Sequence, residues 1–298
     1  MNRLLAAALA AGLAAAATAA AAQDPSVINP KAAFPEGPLV QDGLLYYAQY
    51  GDGKVMTWDG TENRVFWEQP DCGPSAVAPY GEGFLVTCYD AGSYVLLGGD
   101  GKTLRTLDKD SAGESLLGPN DAAPDGKGGL YVTASGPWES APVVGKIYHL
   151  DAGGTLTPVA DDLHYANGVA LSPDGSLLYV AESEAGRVVT FAVGADGGLS
   201  DRRVFVVVRR VDPASGVDAY PDGLKIGPEG KLYIGQYSMG RIVVVTPEGA
   251  FVEAYDVPAP AAPNLAFAPD GKSLYVMAVD EVNEAPYWGK VYELPLAE

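Results

Sequence analysis

Six positions along the chain set an oxygen-bearing side chain at the head of a short apolar run: Glu36, Ser75, Asn120, Asn167, Asp222 and Asn264. Brought together, they offer two carboxylates and several neutral amide oxygens, with no imidazole or thiolate among them. Hard oxygen donors of this kind suit Ca²⁺, which takes about six to eight oxygens and lets water complete its shell. The same set disfavours zinc, which draws on histidine and cysteine. Taken singly, an Asn or Asp at such a position only starts a strand through a local side-chain turn. Recurrence at equivalent places is what points to binding.

The elements that must position these residues repeat. The clearest copy is YANGVALSPDGSLLYVAE, residues 165–182, in which two β-rich runs flank the turn Pro173-Asp174-Gly175. Proline pre-sets such a turn and glycine supplies its positive φ, so the segment is predicted to be a hairpin. Related copies begin at Asn120, Asp222 and Asn264, and weaker ones at Glu36 and near Ser75. A second strand pair follows each, as in GKIYHLDAGG and GRIVVVTPEG. Four strands per period of roughly 40–50 residues predict an all-β chain, a six-bladed β-propeller of four-stranded antiparallel blades around a central channel. In that architecture the inner strands all begin at one face, so the six leading residues converge. Residues 24–35 lead into the first blade, and a strand from this segment, where Ser26-Val27-Ile28 is β-compatible, is expected to pair with the last blade and latch the ring.

Composition narrows the partners. A formal charge of −19 and a pI near 4.3 argue against nucleic acid or an anionic membrane. Residues 1–22 read as a signal peptide: Arg3, an apolar stretch from Leu4 to Ala17, and Ala20-Ala21-Ala22 as a cleavage site. The expected mature domain is 23–298, exported to a periplasm or secreted, and a monomer. Cys72 and Cys88 are the only cysteines; in an oxidising compartment, and near one face of the second blade, they are expected to form a disulfide. The Asp-Gly pairs lack the alternating ligands of an EF-hand and are read as hairpin turns. His149 is read as a strand residue, and His164 as a residue of the pocket rim. Trp138, Tyr165, Tyr237, Tyr287 and Trp288 fall where loops and strand ends should face the pocket. The first three are taken as substrate contacts, with Asn264.

The segments FPEGPLV (34–40), GPNDAAPDGKGGLYVTASG (118–136), YANGVALSPDGSLLYVAES (165–183) and YPDGLKIGPEGKLYIGQY (220–237) resemble the senescence marker protein/gluconolactonase/luciferin-regenerating enzyme family. The similarity runs through the mature chain in blade order. It implies a six-bladed calcium propeller whose metal is held by Glu36, Asn167 and Asp222. Asn120 matches a position that binds metal or substrate, and Asp121 would orient a neighbouring ligand or cap a turn. Gly118-Pro119 stand where sugar-lactone members often carry a basic residue, so the resemblance does not extend to aldonolactone specificity.

The implied activity is hydrolysis of a lactone or related ester, with Ca²⁺ polarising the carbonyl and Asp222 acting as general base or nucleophile. A phosphotriesterase of the diisopropyl-fluorophosphatase type, or a non-catalytic propeller that uses the metal for stability and a face for binding, are the alternatives.

Overall fold

A computed structural model describes residues 24–139, 141–216 and 218–296, so the segment read as a signal peptide lies outside the described residues. The chain is all-β. Among the described residues five consecutive antiparallel runs have four strands, the first being Pro35–Gln41, Leu44–Gln49, Lys54–Trp58 and Asn63–Glu68, and a last run, beginning at Ala261–Phe267, has three. Among the described residues, hydrogen bonding groups the strands into sheets of eight, four, four and eight. Single residue pairs, Gly37 with Ala76 and Gln236 with Ala262, join two runs into each eight-stranded sheet.

The first strands of successive runs are Pro35–Gln41, Pro74–Tyr80, Pro119–Pro124, Ala166–Leu171, Pro221–Ile226 and Ala261–Phe267. Each packs on the next, and the last packs on the first, so the contacts form a closed cycle. The expected latch is present: Ser26–Ala33 pairs antiparallel with the C-terminal strand Trp288–Pro295. Among the described residues no helix is long and apolar enough to cross a membrane.

Both faces of the middle strands are buried, which is why they read as unbroken apolar runs. In Leu130–Ala134, Leu130 and Val132 pack toward Leu85 and Leu96 of the preceding run. Tyr131 points the other way, onto Leu178 and Val180 of the following one. A one-residue slip would exchange these sets, so packing between sheets fixes the register.

Cys72 precedes Pro74–Tyr80 and Cys88 closes the returning strand Gly83–Cys88, which puts their Cα atoms 4.7 Å apart and bridges them. The predicted pairing is the one formed.

Candidate active site

Glu36, Ser75, Asn120, Asn167 and Asp222 are each the second residue of a first strand, and all five line one cavity of about 320 Å³. Residues up to 186 positions apart therefore meet because equivalent strands begin at one end of the cycle. The glycines that follow Asn167 and Asp222 make this approach sterically feasible. A Cβ on Gly168 would lie 2.0 Å from the Asp222 carbonyl oxygen, and one on Gly223 would lie 2.2 Å from the Asn264 side chain.

Serine hydroxyls settle which way the two asparagine amides face. Ser183 Oγ donates its one proton to the Pro221 carbonyl at 2.7 Å, so toward Asn167 it can only accept, and Asn167 Nδ2 lies 3.2 Å away. Ser135 Oγ likewise donates to the Ala166 carbonyl at 2.6 Å and accepts from Asn120 Nδ2 at 2.9 Å. Each amide thus turns its nitrogen toward a serine, which frees the opposite Oδ1 for the cavity. Glu36 Oε2 accepts from the Gly37 N–H at 2.9 Å and from Asn264 Nδ2 at 3.1 Å.

The carboxylates are buried with little to offset their charge. Burial pushes Glu36 up to about 8, against the pull of the Gly37 and Asn264 hydrogen bonds, and the negative field of Asp121 adds to the rise. Asp222 is raised well above the usual carboxylate range, first by burial and then by the charges of Glu36 and Asp121, with a hydrogen bond from Asn167 opposing. Two carboxyl groups whose charged forms burial disfavours are what a divalent cation would hold ionised. The donor set is oxygen throughout, so its chemistry fits Ca²⁺. Among the described residues no three His, Cys, Asp or Glu side chains gather into a metal-binding cluster, so such an ion would depend on the two amides and on water.

Trp138, Tyr165, Tyr237 and Tyr287 line the cavity, where the sequence puts them. Asn264 departs from expectation. It is the fourth residue of its strand, is buried, and lies outside the cavity wall. Its Oδ1 accepts from the Leu265 N–H at 2.9 Å while its Nδ2 holds Glu36, so it is placed to position a ligand rather than to touch a substrate. Asp121 accepts from the N–H groups of Ala122 and Val169. It braces the strand that carries Asn167.

His149 lies in the strand Gly145–Leu150 and meets Asp125 at 2.9 Å. His164 is exposed and outside the cavity wall, and Trp288 packs beneath Lys31.

Four aromatic residues of the wall escape the sequence reading: Phe34, Tyr50, Tyr89 and Tyr220. A signal was available. Tyr50, Tyr89, Ser135, Ser183 and Tyr237 follow their leading residues by 14 to 16 positions, where each returning strand reaches the same end.

The profile of the SMP-30/Gluconolactonase/LRE-like region matches residues 34–280. Lactonase drp35 of Staphylococcus aureus (strain MRSA252) is 26% identical over 236 residues, covering 71% of this chain and 68% of that protein. Among solved structures, a gluconolactonase from Xanthomonas campestris superposes with a TM-score of 0.73 at 22% identity, covering 93% of this chain and 96% of the other. Regucalcin from Agrobacterium tumefaciens, described as a calcium-binding protein, gives 0.71 at 21% identity, with 93% and 94% covered. At these identities the structural likenesses speak for the fold alone: these neighbours share the curled all-β arrangement.

Proposed function

The chain belongs to the SMP-30/gluconolactonase/LRE-like family, and on that premise we propose that it is a calcium-dependent lactone hydrolase built as a six-bladed propeller. The closed cycle of first strands supports the blade count. One observation carries the chemistry: two buried carboxylates and two serine-locked amide oxygens face a single cavity. Glu36, Asn120, Asn167 and Asp222 would hold the ion. When bound, Ca²⁺ supplies a Lewis acid at the lactone carbonyl and the positive charge that ionises Glu36 and Asp222.

The chain's own groups do the rest. Asp222 presents its carboxylate to the cavity and either takes a proton from a water that attacks the carbonyl carbon, or attacks that carbon itself to give an acyl-enzyme that water hydrolyses. In both cases the ring acyl C–O bond breaks and the ring oxygen leaves as a hydroxyl carrying a proton that comes from the water. Asn167 orients Asp222, and Ser183 fixes Asn167. Asn264 holds Glu36 in place. The aromatic wall excludes water from the body of the substrate and strengthens the electrostatics inside. We also propose export of the mature chain, a destination with which the Cys72–Cys88 bridge agrees.

The test is lactone hydrolysis by pH-stat over a small panel, after chelation and again with Ca²⁺ restored. Activity lost on chelation and regained with Ca²⁺ is expected. No turnover with Ca²⁺ present, but thermal stabilisation by it, would move the reading to a phosphotriesterase or a binding propeller.

A further inference from the structure

The geometry points to Tyr237 as a catalytic residue of this site, the acid that hands a proton to the lactone's ring oxygen as the acyl C–O bond breaks; this rests on the lactone-hydrolase reading above. With the carbonyl oxygen assigned to the ion, the ring oxygen depends on the chain's own groups. An alkoxide leaves poorly unless it is protonated as it departs. Among the described residues no Lys, Arg or His lines the cavity, and a bound ion keeps the two carboxyls ionised, so the proton has to come from a hydroxyl.

Most hydroxyls of the cavity wall are already committed, and each has one proton to give. Ser75 sends its proton to the Asn120 carbonyl at 2.9 Å, and Ser183 sends its own to the Pro221 carbonyl at 2.7 Å. Tyr50 donates to Asp90 at 2.9 Å. Tyr165 donates to the Tyr89 hydroxyl at 3.1 Å, which in turn donates to the Gly136 carbonyl at 2.8 Å. Among the described residues the hydroxyls of Tyr220, Tyr237 and Tyr287 have no such partner.

The repeat singles out Tyr237 from these three. Its N–H donates to the Tyr220 carbonyl, as the N–H groups of Ser135 and Ser183 donate to Gly118 and Tyr165, and each acceptor lies two residues before a leading residue. Tyr237 therefore stands to Asp222 as Ser135 stands to Asn120 and Ser183 to Asn167. Those serines touch the leading side chain of their own run, at 2.9 and 3.2 Å. A tyrosine at the same place carries its hydroxyl a ring's length further out, and Tyr237 lines the cavity. Pairing of Pro221 with Gln236 sets this neighbourhood on two strands. Tyr220 leans edge-on against Trp138 instead, and Tyr287 stands against Phe34 and Tyr50. Burial raises the Tyr237 hydroxyl above the ordinary tyrosine range, and the charges of Asp222 and Glu36, both near enough to act on it, add to the rise.

The protons balance on either route. With Asp222 as base, water adds to the carbonyl carbon and leaves one proton on Asp222. The acyl C–O bond then breaks, its electron pair stays on the ring oxygen, and Tyr237 protonates that oxygen. The phenolate recovers its proton from Asp222. With Asp222 as nucleophile, Tyr237 gives its proton as the acyl-enzyme forms, and the phenolate takes one back from the water that hydrolyses it. Over a turnover the proton on the product hydroxyl is thus replaced from water.

The experiment measures kcat and KM on δ-valerolactone and on δ-thiovalerolactone, in which sulfur replaces the ring oxygen, using the full mature chain with Ca²⁺. A thiolate is a far weaker base than an alkoxide and leaves without a proton. Tyr237→Phe should lower kcat on the lactone at least about a hundredfold and on the thiolactone less than about threefold, with KM nearly unchanged. Its melting temperature, and its Ca²⁺ affinity by calorimetry, should match wild type, because the hydroxyl it loses held no partner. Equal losses on both substrates, or no loss on either, overturn the proposal alone. So does an oxygen-selective loss in Tyr220→Phe or Tyr287→Phe that Tyr237→Phe lacks. A wild type that hydrolyses neither these substrates nor any lactone of the panel removes the hydrolase reading, and this proposal with it.

Discussion

Replacing Glu36 by glutamine should stabilise the metal-free protein and abolish its response to Ca²⁺. The Glu36 carboxyl titrates at 4.5 in the unfolded chain and at about 8 in the fold, because burial disfavours its charged form. Below about pH 4.5 both states hold the proton and stability is unaffected. Between there and about pH 8 the unfolded chain ionises while the fold keeps its proton, so stability falls as pH rises; above about pH 8 the loss is complete. At 1.36 kcal/mol per pH unit, the penalty at pH 7 is about 3 kcal/mol, since pH 7 lies roughly 2.5 units above the unfolded value. The amide oxygen in Glu36→Gln can still accept from the Gly37 N–H and from Asn264, the two hydrogen bonds that hold the native side chain.

The variant should therefore recover most of that energy, which for a domain of this size corresponds to a melting temperature higher by roughly 6–12 °C. The assay is thermal unfolding from about pH 5 to pH 8, with chelator and with Ca²⁺. Wild type in chelator should melt lower as pH rises, and Ca²⁺ should reverse the trend, with its largest effect at the alkaline end. The variant should show a shallower pH slope and no gain from Ca²⁺. A variant that melts below wild type near pH 8 in chelator, or a wild type whose melting temperature is flat across the range, would refute the reasoning.

Asp222→Asn should abolish turnover and leave the fold largely intact, and retained hydrolysis in a pH-stat assay would remove Asp222 from the chemistry. Ser183→Ala frees the Asn167 amide to rotate and should weaken Ca²⁺ binding at least about tenfold, read by calorimetry, as losing a ligand's outer hydrogen bond does in other metal sites. Reducing Cys72–Cys88, which are 16 residues apart, should lower stability by about 3 kcal/mol through the reopened loop, measured by urea unfolding with and without reductant. Leu130→Ala removes a fully buried side chain between two sheets and should cost about 2–5 kcal/mol in the same measurement.

The repeat was legible without coordinates because it is local. Pro173-Asp174-Gly175 is a turn whatever surrounds it, and the apolar runs beside it are short, β-rich and bounded by turn residues, as buried strands are. Once strands recur at blade-sized intervals, Glu36, Asn120, Asn167 and Asp222 fall at matching starts, so their meeting in one cavity follows from the pattern. The cysteine pair was legible for the same reason, both residues belonging to one end of one hairpin. Three features were decided only by the assembled structure. Asn264 heads its repeat like the others, but it is set two residues deeper into its strand, and the amide that would have reached a substrate holds Glu36 instead. The direction of the Asn120 and Asn167 amides depends on where Ser135 and Ser183 send their single protons, to carbonyls of the next strand along the cycle. The aromatic wall is shared between neighbouring runs, with Tyr50 against Gly73 and Tyr89 against Gly118 of the run that follows and Phe34 against Tyr237 and Tyr287, contacts that only the closed cycle brings about.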